Sequence, residues 1–103
     1  MTQAELYTAL KSLGMPVAYG EFTKSTAPPF ITYQFAYSND LMADNQNYLE
    51  ISNFQVELYT VKKDLAAEIL IQNKLKELHL PYSKIEAWLD EENLRQIIYE
   101  IKI

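Results

Sequence analysis

The sequence predicts an α+β fold: a mainly antiparallel sheet of about five strands with two helices packed on one face, in the order α-β-β-β-α-β-β. Three observations predict it. Two segments, one at the start and one past the middle, combine helix-capping residues with apolar residues spaced three and four apart. Three others, Phe30 to Tyr37, Tyr48 to Thr60 and Leu94 to Ile103, carry apolar residues at a period of two. The strands are grouped and joined by short connections rather than alternating with helices, which argues for hairpins and a layered sandwich. The chain has 103 residues, so residues 1–103 make a single domain with one modest core.

The first helix starts at Thr2, because Thr2-Gln3-Ala4-Glu5 has the form of a capping box that pairs two otherwise orphaned amides. Leu6, Leu10 and Leu13 then make one apolar stripe. Gly14 suits the left-handed position after a helix, and Pro16 forbids continuation, so the helix covers about Gln3 to Leu13. Val17 to Phe22 reads as a short strand. Thr23 to Pro29 is a polar connector ended by two prolines that cannot donate ladder hydrogen bonds.

In the next strand Ile31, Tyr33, Phe35 and Tyr37 share one face, while Phe30, Thr32, Gln34 and Ala36 share the other. Ser38 to Asn47 is rich in Asn, Asp and Ser and lacks a period, so it reads as a long loop, mobile until a partner orders it, with Leu41 and Met42 as its bulky apolar residues. From Tyr48 to Thr60 the apolar phase changes: Leu49 and Ile51 are odd, Phe54, Val56 and Leu58 even. One extra residue near Ser52-Asn53, a bulge, would account for the change within a single strand.

Asp64 is a good N-cap for a second helix ending near Leu78, with Glu68 near its start and Lys74 and Lys76 near its end to complement the dipole. Ala66, Ile69, Leu70 and Asn73 trace one flank, and Leu65, Ile71, Leu75 and Leu78 widen the apolar face toward a sheet. Tyr82 to Leu89 and Leu94 to Ile103 form a hairpin turning at Asp90-Glu91-Glu92-Asn93. If Ile85 faces the core, then Trp88, Glu86 and Lys84 face away from it.

Composition narrows the function. Cysteine is absent, removing thiol catalysis and disulfides and suiting a reducing cytosol. No apolar run is long enough for a membrane span or a signal-peptide core, so a soluble, unexported chain without membrane contact is expected. Nine basic residues against fourteen acidic ones give a net charge of −5. That balance argues against tight nucleic-acid binding, which needs clustered Lys and Arg. Eight tyrosines either fill strand positions or serve a protein interface, where Tyr is enriched.

A search for chemistry returns no catalytic, cofactor-binding or metal-binding constellation. His79 is the single histidine, and its place at a helix end reads as an exposed cap. The serines lack a base for a triad, and Gly14 and Gly20 are too few for a phosphate loop. Asp90-Glu91-Glu92 reads as a solvated turn, with a cation or partner contact as the other use of clustered carboxylates. Asp40, Asp44 and Asn45 lack the glycine and closing glutamate of a calcium loop. Trp88 either packs beneath a loop or is an exposed hot spot.

The segments Leu13 to Gly20, Pro28 to Tyr33 and Ala43-Asp44-Asn45 resemble the small tail-completion and tail-terminator (head-tail joining) proteins of long-tailed phages and prophages of Gram-positive bacteria. The resemblance implies a non-enzymatic virion assembly protein without cofactors. It would form a homo-oligomeric ring, usually six-fold, at the head-tail joint or tail-tube end. Its partners would be further copies of itself and tail-tube or connector proteins, in the host cytoplasm during assembly and then in the virion. The alternative is a small phage-encoded regulatory or host-protein-binding module. The interface expected from these readings comprises Tyr19, Phe22, Pro28, Pro29, Phe30, Leu41, Met42 and Trp88.

Overall fold

A computed structural model describes residues 1–103. Helix α1 (Gln3–Lys11) is followed by strands β1 (Val17–Tyr19), β2 (Phe30–Ser38), β3 (Leu41–Ala43), β4 (Gln46–Leu49) and β5 (Ser52–Thr60), then α2 (Leu65–Glu77), β6 (Ser83–Leu89) and β7 (Leu94–Lys102). Five strands make one sheet in the order β1-β2-β5-β7-β6, while β3 and β4 pair only with each other. The main sheet is antiparallel except at β1, which runs parallel to β2 with Val17 opposite Ile31. The α+β class and the grouping of strands are those the sequence predicts.

The caps explain where the helices begin and end. The Thr2 side chain accepts from the Glu5 amide at 3.1 Å and the Glu5 carboxylate from the Thr2 amide at 2.9 Å, closing the capping box. The Asp64 side chain accepts from the Ala67 amide at the start of α2. At its end His79 adopts φ 58. The amides of His79 and Leu80 donate to the carbonyls of Lys76 and Leu75, a Schellman arrangement with histidine where glycine is usual.

One apolar cluster lies between the helices and a single face of the sheet. Leu6 and Leu10 of α1 and Ala67, Ile71 and Leu75 of α2 cover Ile31 and Tyr33 of β2, Phe54, Val56 and Leu58 of β5, and Ile97, Tyr99 and Ile101 of β7. Register produces this layer, since Ile31 pairs with Leu58 and Leu58 with Ile97, and residues directly opposite share a face.

Four expectations are corrected. Ser38 to Asn47 is a hairpin rather than a loop: Asp44 and Asn45 both take positive φ, 51 and 62, the geometry that turns two strands tightly with their natural twist. Tyr48 to Thr60 is two strands, interrupted at Glu50-Ile51, so its phase changes because Leu49 belongs to another sheet. The bulge of the main sheet lies across from the expected position. Ala36 is the extra residue, between the pairs Phe35–Phe54 and Tyr37–Asn53, so it separates Phe35 and Tyr37 onto different faces. Finally, β6 is turned over. Lys84, Glu86 and Trp88 pair with Tyr99, Ile97 and Arg95 and lie on the helix side, whereas Ile85 pairs with Ile98 on the opposite face.

A charged network explains that orientation of β6. The Glu68 side chain of α2 is 2% exposed and lies between Lys84 (2.6 Å) and Lys63 (2.9 Å). Lys63 also reaches Glu86 at 2.7 Å, and Glu86 accepts from Arg95 at 3.1 Å. Burial opposes ionisation of Glu68, but the two lysines outweigh it and hold its carboxyl below the usual range. The polar row of β6 thus faces inward at the sheet edge because α2 carries a buried acid there.

Candidate functional site

The hairpin of β3 and β4 stands off the body of the protein. Every residue from Leu41 to Glu50 is exposed, including Leu41, Met42, Tyr48 and Leu49, with Met42 at 64% and Tyr48 at 75%. The chain measures 49 × 29 × 24 Å, and its radius of gyration is 14.7 Å, against about 13 Å for a compact domain of this length. A two-stranded hairpin with no third layer is marginal in water, and the domain leaves the four bulky apolar side chains of this arm uncovered.

Its base is fixed. The Asp40 carboxylate accepts from the Asn47 side-chain amide (2.5 Å) and the Ile51 amide (2.7 Å), and these two bonds, the side-chain one foremost, hold its pKa below the usual value. The Asn39 amide donates to the Ile51 carbonyl at 3.0 Å, and Asn53 donates to the Asn39 side chain at 2.7 Å. Phe35 and Tyr37, on opposite faces of β2 near the arm's base, are also exposed. The arm is also acidic: Asp40, Asp44 and Glu50 face no basic residue between Ser38 and Ile51.

The expected interface residues fall into separate places. Leu41 and Met42 are on the arm. Tyr19 is 49% exposed at the edge strand β1, edge-on to Tyr33 at 5.2 Å, and its hydroxyl oxygen accepts from the Phe35 amide at 3.1 Å. Phe22 and Phe30 are half-buried, with centroids 5.1 Å apart, and Phe30 stacks on Tyr59 at 5.0 Å. They line a groove of about 330 Å³ on the sheet face away from the helices, together with Thr32, Glu21, Lys24 and Glu92. Pro28 and Pro29, joined by a cis bond, border a recess with Val61, Lys62 and Lys63. Trp88 is 46% exposed at the other sheet edge, with the Arg95 guanidinium 5.5 Å above its ring. So no single patch joins them all.

Two features were not read from the sequence. Tyr48 and Leu49 belong to the arm, and the Asp44-Asn45 turn was the signal that would have placed them there. On α2, Leu65, Ile69 and Leu70 are exposed rather than sheet-facing, at 60%, 51% and 46%; the buried row is Ala67, Glu68, Ile71 and Leu75. A polar cluster lies on the opposite sheet face. The Thr32 hydroxyl donates to Glu57 at 2.8 Å, and the Gln96 side-chain amide donates to the Tyr59 hydroxyl at 2.9 Å and to Glu57 at 3.4 Å. Burial pushes the Glu57 carboxyl above its usual value, with the hydrogen bonds opposing it.

No group of three or more His, Cys, Asp or Glu side chains is placed to hold a metal ion. Every buried side-chain polar atom has a hydrogen-bond partner, and no helix is long and apolar enough to cross a membrane. No protein-family model matches the chain, and no curated protein sequence is similar to it.

Proposed function

We propose that the protein is a non-enzymatic virion assembly component, forming a ring at the head-tail joint or tail-tube end of a long-tailed phage or prophage. The projecting arm carries this reading: ten consecutive exposed residues, Leu41 to Glu50, hold apolar side chains that the domain's own core does not use. An arm of this kind costs solubility in a monomer and gains its stabilisation when another chain covers it. The segments resembling tail-completion and tail-terminator proteins supply the context.

Charge fits a channel that DNA passes through. A net charge of −5 disfavours retention of the polyanion, whereas binding that stores a duplex needs clustered cations. The test is light scattering of the purified protein over a range of concentrations, alone and with the tail-tube protein of the same phage, followed by electron microscopy. Rings, or caps on tube ends, are expected. A strict monomer in both settings, with no binding to tubes, overturns the proposal.

A further inference from the structure

The end of the molecule opposite the arm carries a second exposed apolar surface. β5 starts at the arm's base with Ser52 and ends at Thr60, which leads into α2; nine residues of strand span about 30 Å. At that far end Val61, Leu65 and Ile69 are exposed at 55%, 60% and 51%, beside the recess bordered by Pro28, Pro29 and Lys62. Lys62 makes no ion pair within the chain, while Lys63 is held by Glu68 and Glu86. Asp64 also lines the recess, but its carboxylate is taken up in capping α2 through the Ala67 amide, so an apolar shoulder with Lys62 unpaired lies at one end and an apolar arm with Asp44 and Glu50 at the other.

We propose that the arm of one copy docks on the shoulder formed by Pro28, Pro29, Val61, Lys62, Leu65 and Ile69 of the next copy. An arm cannot reach its own shoulder across the length of β5, so the contact is head-to-tail, and such contacts repeat until they close a ring or run on as a filament. Charge selects this site over the others. The aromatic groove is lined by Glu21 and Glu92 against a single cation, Lys24, and the adjoining Asp90-Glu91-Glu92 turn is acidic, so the balance there repels an acidic arm. The shoulder joins Lys62 to aliphatic side chains that are more than half exposed, Val61, Leu65 and Ile69, whereas the aliphatic residues of the groove, Leu89 and Leu94, are half-buried. This docking rests on the assembly reading above and names the interface within it.

The chain has no cysteine, so Met42→Cys and Leu65→Cys, both at exposed positions, report the contact cleanly. With a short bis-maleimide, the double variant is expected to give a ladder of covalent species beyond the dimer, while each single variant stops at dimer or below. Lys62→Glu should reduce the ladder about tenfold, and Glu50→Lys in the same chain should restore it. No ladder from a protein that light scattering shows to be oligomeric overturns this contact and leaves the assembly reading standing. No ladder from a protein that stays monomeric and ignores tail tubes overturns both. Dimers from Met42→Cys alone that match the double variant's yield would place two arms together, which also overturns it.

Discussion

Glu68→Gln tests whether the ion network at the α2–β6 edge stabilises the fold. The side chain is 2% exposed and bonds Lys84 at 2.6 Å and Lys63 at 2.9 Å. Charge-assisted hydrogen bonds contribute about 1.5–3 kcal/mol each where both groups are dry. Here the lysine side chains are 34% and 39% exposed, so water recovers part of that, and Lys63 keeps Glu86. A net loss of about 1–2 kcal/mol remains, a fall in Tm of roughly 4–15 °C for a domain near 100 residues. Because the folded carboxyl titrates below its usual value, its stabilisation is present above about pH 4.3, the unfolded value, and is lost as pH falls through the folded one. Thermal melts followed by circular dichroism at pH 7 and at steps down to pH 3 read both effects. The gap between the two proteins should be full at pH 7 and close in acid. A variant more stable than the parent at pH 7 would mean that desolvation outweighs the lysines and that the network does not stabilise the fold.

Glu57 should behave in the opposite sense. Its carboxyl is raised by burial, so the stability it contributes is full below about pH 4.3 and is lost as pH rises through the folded value; Glu57→Gln is expected to raise Tm at pH 7 and to converge with the parent in acid. His79→Gly removes a side chain held at φ 58 and should stabilise by about 0.5–1 kcal/mol, measured by urea unfolding. Fluorescence anisotropy with a labelled duplex at physiological salt should show no binding tighter than about 10⁻⁶ M; a tighter Kd would require a cationic surface that the charge balance disfavours.

Where the sequence carried short-range signals, the fold was legible. The capping box at Thr2 and Glu5, the N-cap Asp64, the positive-φ Gly14 and the turn at Asp90 to Asn93 each depend on a few neighbouring residues, and each stands where expected. Sheet pairing is non-local, and its register leaves no short-range mark in the sequence. Nothing near Ala36 announces a bulge, because it arises from the register against Phe54 and Asn53. The period of β6 identifies a strand but not which face is inward; that is decided by Glu68, fifteen or more residues away on α2. The first half of α2 carries Leu65, Ala66, Ala67, Ile69, Leu70 and Ile71 around most of its circumference, so its periodicity does not separate the row that meets the sheet from the row that stays in water. Of the expected interface, Leu41 and Met42 are on the arm, yet their partners Tyr48 and Leu49 became visible only once the Asp44-Asn45 turn brought β4 beside β3.

On the proposed function, the arm joins copies of the chain or its assembly partners. Sedimentation velocity over a wide concentration range, comparing the parent with Leu41→Ser/Met42→Ser and adding tail tubes to each, reads this joining. The parent should show species well above the 12.0 kDa monomer, or bind the tubes. The exposed double substitution should leave the melting temperature within a few degrees of the parent yet return the protein to a monomer that ignores the tubes. Identical sedimentation of the two proteins, whether both assemble or both stay monomeric, would show that the arm does not join them.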